Sequence, residues 1–141
     1  MPTCGCPGDT ECTTCDEQVA ERGLQANREA VGRQLSEMNK LQNGWLDGEG
    51  LRPQKGVIPF TRAVLDEAMR RGAPRAHCYP TLEGGIQVEW DEGEVVFADD
   101  GVTAIRFPPG EIVHTMTIVP QPDPGWVVPL LFDFFGWTRS Q

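Results

Sequence analysis

The sequence predicts an α+β protein: two helices, an antiparallel β-meander of four or five strands and an apolar C-terminal tail, all preceded by a four-cysteine turn. Three observations carry that expectation. Apolar residues recur at helical spacing as far as Arg71 and at a spacing of two from Arg75 onward. Glycine and proline are frequent, 16 and 12 of 141 residues, and gather between the apolar runs as turn signals. Four of the five cysteines stand within the first 15 residues.

The head reads Cys4-Gly5-Cys6, then Cys12-Thr13-Thr14-Cys15. It has almost no apolar side chains, so it cannot order itself by burying a core. Four thiolates at this spacing suit the tetrahedral shell of a structural zinc ion, whose ligand bonds supply the ordering free energy. Zinc is therefore the expected cofactor, held by Cys4, Cys6, Cys12 and Cys15; an oxidised or reduced free tail is the alternative. A full Cys4 set leaves no open coordination position, which points to a structural ion.

Thr14 and Glu17 form a capping box at the start of the first helix, expected to run to about Gln42. Its stripe of Leu24, Val31, Leu35, Met38 and Leu41 is narrow. Gly23 and Gly32 interrupt it at about 1 kcal/mol each relative to alanine, so most of its faces are expected in solvent. Asn43-Gly44 ends it and a loop follows. A second helix is predicted from Pro59 to Arg71, burying Phe60, Val64, Leu65, Ala68 and Met69, with Gly72 and Pro74 as its stop.

Strands are predicted over Arg75–Leu82, Ile86–Trp90, Glu94–Ala98, Val102–Phe107 and Glu111–Val119, joined by short Gly-containing turns that make hairpins. Ile86, Val88 and Trp90 share one face of their strand while Gln87 and Glu89 share the other, so one sheet face packs and one is wet. Three prolines between residues 120 and 124 cannot continue a central strand. Beyond them, Trp126 to Trp137 is the most concentrated apolar stretch of the chain. The expected organisation is a head and exposed helix over 1–42, a body over 43–119, and a Pro-rich linker with an aromatic docking tail over 120–141.

A net charge of −9 argues against direct binding of a nucleic-acid backbone, which needs a basic face. No basic, apolar leader opens the chain, and its apolar stretches are too short to span a membrane; a cytoplasmic setting is expected, where thiols stay reduced. Nucleophilic catalysis has little material. Ser36 and Ser140 lie outside any strained elbow. His77 and Cys78 point to opposite faces of one strand, which leaves only His114 to meet Cys78 across the sheet. Cys78 otherwise reads as a small core residue. A polar pocket would form if the loop carrying Asp47 and Glu49 folded over Gln87 and Glu89; the plainer reading makes these solvated strand and turn residues.

Trp45, Asp47, Gly48 and Gly50 form a W-x-D-G-x-G loop, and Tyr79, Pro80, Thr81, Gly84, Gly85, Gln87, Glu89 and Trp90 form Y-P-T-x-x-G-G-x-Q-x-E-W. In these two motifs the stretch 44–107 resembles a family of small, uncharacterised bacterial and phage-borne proteins. The resemblance implies an origin in a phage or a bacterial accessory genome and adds no mechanism. The cysteine head and the aromatic tail lie outside it.

The expectation for function is a non-catalytic protein-interaction module with a structural zinc site, an accessory or minor structural component acting in the host cytoplasm or a virion. It would bind a protein partner, or itself, through the first helix and through Trp126, Leu130, Leu131, Phe132, Phe134, Phe135 and Trp137. In the other reading of the tail, it folds back to finish the core. Two rival functions remain. One is an acidic inhibitor of a host nucleic-acid-binding defence protein, using Glu83, Glu89, Asp91, Glu92 and Glu94. The other is a small-ligand binder or enzyme built on Asp47, Glu49, Gln87 and Glu89. Removing everything from Pro124 is expected to abolish association and spare the metal site.

Overall fold

The structure, a computed structural model, describes residues 13–107, 114–118 and 123–138, with side chains of the first helix described from residue 19 onward. Helix α1 (Thr13–Met38) and helix α2 (Val57–Arg70) precede strands β1 (His77–Pro80), β2 (Ile86–Trp90), β3 (Gly93–Ala98), β4 (Gly101–Arg106) and β5 (His114–Ile118); helix α3 (Pro124–Phe135) closes the described chain. The strands form one antiparallel sheet in the order β1-β2-β3-β4-β5, the meander that the period-two pattern and short turns predict.

Register follows from the turns. Two-residue connections at Asp91-Glu92 and Asp99-Asp100 pair Trp90 with Gly93 and Ala98 with Gly101, and the alternation of side chains then fixes every other pair. Cys78, Ile86, Val88, Trp90, Val95, Phe97, Val102 and Ala104 consequently point to one face and are buried. All three helices cover that face: α1 against β1, α2 against β2 and β3, and α3 against β4, with α2 packed between α1 and α3.

Helix α2 buries Val57, Ile58, Thr61, Val64, Leu65, Ala68 and Met69, a stripe at the 3.6-residue period. Helix α1 is exposed on most of its faces, as its narrow stripe suggested. From Ala30 onward its Val31, Leu35 and Met38 enter the core, while Val19 to Gly23 stay in solvent. It ends four residues earlier than expected, because Asn43 and Gly44 serve a loop: the Asn43 Oδ1 accepts from the Arg52 N–H at 2.9 Å, and Gly44 takes a left-handed φ of 84°.

Of the two readings of the tail, the structure shows the one in which it folds back to finish the core, so a linker with a free docking tail over 120–141 is corrected. Residues 124–135 form a helix whose Val127, Val128, Leu131, Phe132 and Phe135 are buried against the rest of the core. Asp123 caps it by accepting from the Gly125 N–H at 2.8 Å, Pro124 opens it, and Gly136 closes it in a left-handed conformation at φ 71°. Arg106 of β4 ties its end down, with Nη1 donating to the Phe134 carbonyl at 3.1 Å and the guanidinium 5.8 Å from the Phe134 ring centre. Trp90, Phe132, Phe135 and Trp137 pack ring on ring, with centroids 4.8 to 5.6 Å apart.

Candidate functional site

The face of the sheet away from the helices is uncovered among the described residues. Its side chains are His77 and Tyr79 of β1, Gln87 and Glu89 of β2, Glu94 and Val96 of β3, Thr103 and Ile105 of β4, and Thr115 and Thr117 of β5. None of them is buried. The register sets Glu89 directly opposite Glu94, a like-charge pair that would repel at cross-strand distance. Gln87 relieves it: its Nε2 donates to Glu89 Oε1 at 2.9 Å and to Glu94 Oε2 at 2.7 Å. One amide thus uses both its N–H bonds to hold two carboxylates together on an open surface. Alternation along β2 made Gln87 and Glu89 visible in the sequence. Glu94 joins them only through the cross-strand register.

Asp47 and Glu49 stand elsewhere. Leu46 and Glu49 exchange two 2.8 Å backbone bonds around Asp47 and Gly48, whose positive φ angles of 49° and 92° make a tight two-residue turn with Asp47 at its exposed tip. Among the described residues no hydrogen bond links Asp47 or Glu49 to Gln87 or Glu89, whose own polar contacts are with Glu94 and each other. The four residues expected to line a polar pocket therefore divide into a turn tip and an open strand face.

The motif residues around them form a clasp. Trp45 donates from Nε1 to the Leu51 carbonyl at 2.9 Å, and a Cβ at Gly50 would lie 2.7 Å from the indole. Leu51 N–H then donates to the Leu82 carbonyl and Gln54 N–H to the Gly84 carbonyl, both at 2.8 Å, which fastens the loop to the β1–β2 turn. Inside that turn the Thr81 hydroxyl accepts from the Gly85 N–H at 2.8 Å, and a Cβ on Gly85 would sit 2.7 Å from the Phe97 carbonyl oxygen. Tryptophan, threonine and glycines are required here by close backbone approach.

Charge is divided between the layers. Residues 13–76 carry ten Lys and Arg against nine Asp and Glu, whereas residues 77–107 carry one, Arg106, against seven: Glu83, Glu89, Asp91, Glu92, Glu94, Asp99 and Asp100. The four ion pairs among the described residues, Arg28 and Arg70 with Asp66, Arg71 with Glu67, and Lys40 with Glu37, all lie on the α1–α2 layer. Among the described residues the acidity is therefore concentrated in the sheet layer, on Glu89 and Glu94 of its strands and on the turns between strands.

Cys78 and His114 occupy opposite edges of the sheet, four strand spacings or roughly 19 Å apart, and cannot form a dyad. Burial pushes the Cys78 thiol from 9.0 up to about 12, so it is a core residue and a poor nucleophile. Cys4, Cys6 and Cys12 lie outside the described residues; Cys15 falls in the first turn of α1, with its side chain outside them. Of the tail residues expected to meet a partner, Leu131, Phe132 and Phe135 are buried in the core, and Phe134 and Trp137 are partly buried against it. Trp126 and Leu130, one turn apart, remain 75% and 41% exposed. No helix among the described residues is long and apolar enough to cross a membrane.

Comparison with protein-family models, curated proteins and solved structures gives no match.

Proposed function

We propose that this chain is a non-catalytic protein-interaction module whose uncovered, acidic sheet face docks on a basic surface of a partner protein. The observation that carries this reading is the Glu89–Gln87–Glu94 cluster on a bare five-stranded face, in a layer with seven carboxylates and one cation. Fixed like charges on an open face favour fast, salt-sensitive association with a surface of opposite sign. An inhibitor that occupies the nucleic-acid-binding surface of a host protein is one form this takes, and a phage or accessory-genome origin suits it. Zinc held by the four N-terminal cysteines remains part of the proposal as a structural clamp at the start of α1, with one ion per chain expected by elemental analysis and loss of thiol protection after chelation.

The test compares capture from a host lysate on immobilised wild type and on the double variant Glu89→Gln, Glu94→Gln. Basic proteins that bind the wild type, elute with salt and are not held by the variant are expected. Identical captured sets at every salt concentration would refute the reading. A second docking point is favoured by the exposed Trp126–Leu130 pair, since aromatic anchors dominate interface energetics. Trp126→Ala should then weaken a contact that does not respond to salt.

A further inference from the structure

The two edges of the sheet are treated differently. On β1 the Thr81 N–H donates to the Gly85 carbonyl, so the strand turns the main-chain groups of Tyr79 and His77 toward β2 and those of Cys78 and Pro80 outward. The Cys78 N–H is already taken by Gln34 Oε1 of α1 at 2.8 Å, and Pro80 has none. Both outward donors of β1 are removed, which blocks strand addition there.

On β5 the opposite holds. The Phe107 N–H donates to the Glu92 carbonyl at 2.8 Å, which fixes the alternation across β3 and β4. His114, Met116 and Ile118 therefore bond to β4, and Thr115 and Thr117 turn their N–H and C=O groups to the free side. Among the described residues nothing pairs with that side, and both threonines are exposed. The strand carries no Asp, Glu, Lys, Arg or Pro between residues 114 and 118, the devices that normally guard an open edge.

We propose that β5 pairs antiparallel with β5 of a second copy about a two-fold axis at Met116. In that register Thr115 of each chain faces Thr117 of the other, which satisfies all four outward N–H and C=O pairs with four backbone hydrogen bonds and sets hydroxyl beside hydroxyl. His114 meets Ile118, so no like charges confront one another across the joint. The nearest carboxylates of the bare face, Glu94 and its copy, are five strand spacings or roughly 24 Å apart, well beyond the ~8 Å screening length at physiological salt. Because β1 is blocked, pairing stops at two copies and yields one closed ten-stranded sheet in place of a fibre. Its uncovered face joins two acidic clusters into one continuous surface.

Sedimentation of the full chain over a wide concentration range tests this, together with residue-resolved hydrogen exchange. The expected result is a reversible monomer–dimer equilibrium in which the Thr115 and Thr117 amides gain protection as concentration rises. Thr117→Pro removes two of the four joint hydrogen bonds without touching a bond to β4, and should weaken the dimer about thirtyfold. A Thr115→Lys, Thr117→Lys chain, which keeps every backbone donor, should be monomeric with an unchanged far-UV spectrum. A chain monomeric at all concentrations overturns the proposal, as does a dimer indifferent to these substitutions. So does protection of the two amides in the monomer, which would mean that another segment of the same chain covers the edge.

Discussion

Deleting residues 124–141 separates a tail that docks from a tail that completes the core. Val127, Val128, Leu131, Phe132 and Phe135 are all buried in α3. At about 1.5–3 kcal/mol for each buried side chain, their removal forfeits about 7–15 kcal/mol, an upper bound because the denatured chain hides some of that surface already. That equals the whole stability of an ordinary domain, about 5–15 kcal/mol. The loss grows further because Arg106 would be stripped of the Phe134 carbonyl and ring that accommodate its charge. The truncated chain should therefore lack a cooperative urea transition by far-UV circular dichroism, whatever its binding properties. Leu131→Ala gives the graded version, with an expected loss of about 2–5 kcal/mol at unchanged m-value. A truncated chain that unfolds cooperatively at the wild-type midpoint would refute the assignment of α3 to the core.

Gly85→Ala should destabilise the fold by at least about 1–3 kcal/mol, since its Cβ would meet the Phe97 carbonyl oxygen at 2.7 Å and neither backbone can yield cheaply; thermal melting measures it. Cys78 should resist alkylation in the folded protein at pH 8 and react on unfolding, as peptide mapping would reveal. Its thiol is raised by burial from 9.0 to about 12, so above pH 9 the unfolded chain releases a proton that the folded chain keeps. Stability should fall between pH 9 and 12, by up to about 1.4 kcal/mol per pH unit, and Cys78→Ala should flatten that slope in pH-dependent urea titrations. Gln87→Leu should cost about 1–2 kcal/mol at low ionic strength by unbridging Glu89 and Glu94, and added salt should recover part of the loss; a salt-independent effect would mean the amide acts through packing alone.

The strands were legible because each turn announces itself and because alternation survives wherever one face is buried. Ile86–Trp90 matches to the residue, Gly93–Ala98 differs by one at its start, and Gly101–Arg106 is shifted by one at both ends. Helix α3 was hidden by its composition. Pro129 inside it and five aromatic residues in twelve positions from 126 to 137 obscure a helical pattern that Asp123, Pro124 and Gly136 do mark at its two ends. Pro129 lacks the N–H that would bond the Gly125 carbonyl, so tertiary burial of Val127, Val128, Leu131, Phe132 and Phe135 must override a local penalty of about 3 kcal/mol. Helix α1 was easier to read: the narrow stripe of Val31, Leu35 and Met38 is what enters the core, because the half from Ala30 onward sits over β1 and needs only a few residues to seal that end.

The same reasoning changes what the two motifs mean. A run such as Tyr79 to Trp90 with a Trp-Asp-Gly loop upstream invites a search for a shared active site. In this fold Trp45, Gly50, Thr81, Gly84 and Gly85 are consumed by the clasp between loop and turn, and Trp90 donates to the Pro74 carbonyl at 3.1 Å while packing on α3. Only Tyr79, Gln87 and Glu89 of that run face the uncovered surface, and two of those three belong to the carboxylate cluster. A motif made mostly of positions where backbones touch specifies a scaffold, and its few outward residues are the ones left free to meet a partner. Exchanging Tyr79, Gln87 and Glu89 together should thus redirect binding while leaving the melting temperature within a few degrees, once Glu94 is neutralised to spare the unbridged pair. A collapse of the fold on that exchange would place these side chains in the scaffold and remove the distinction between the two faces.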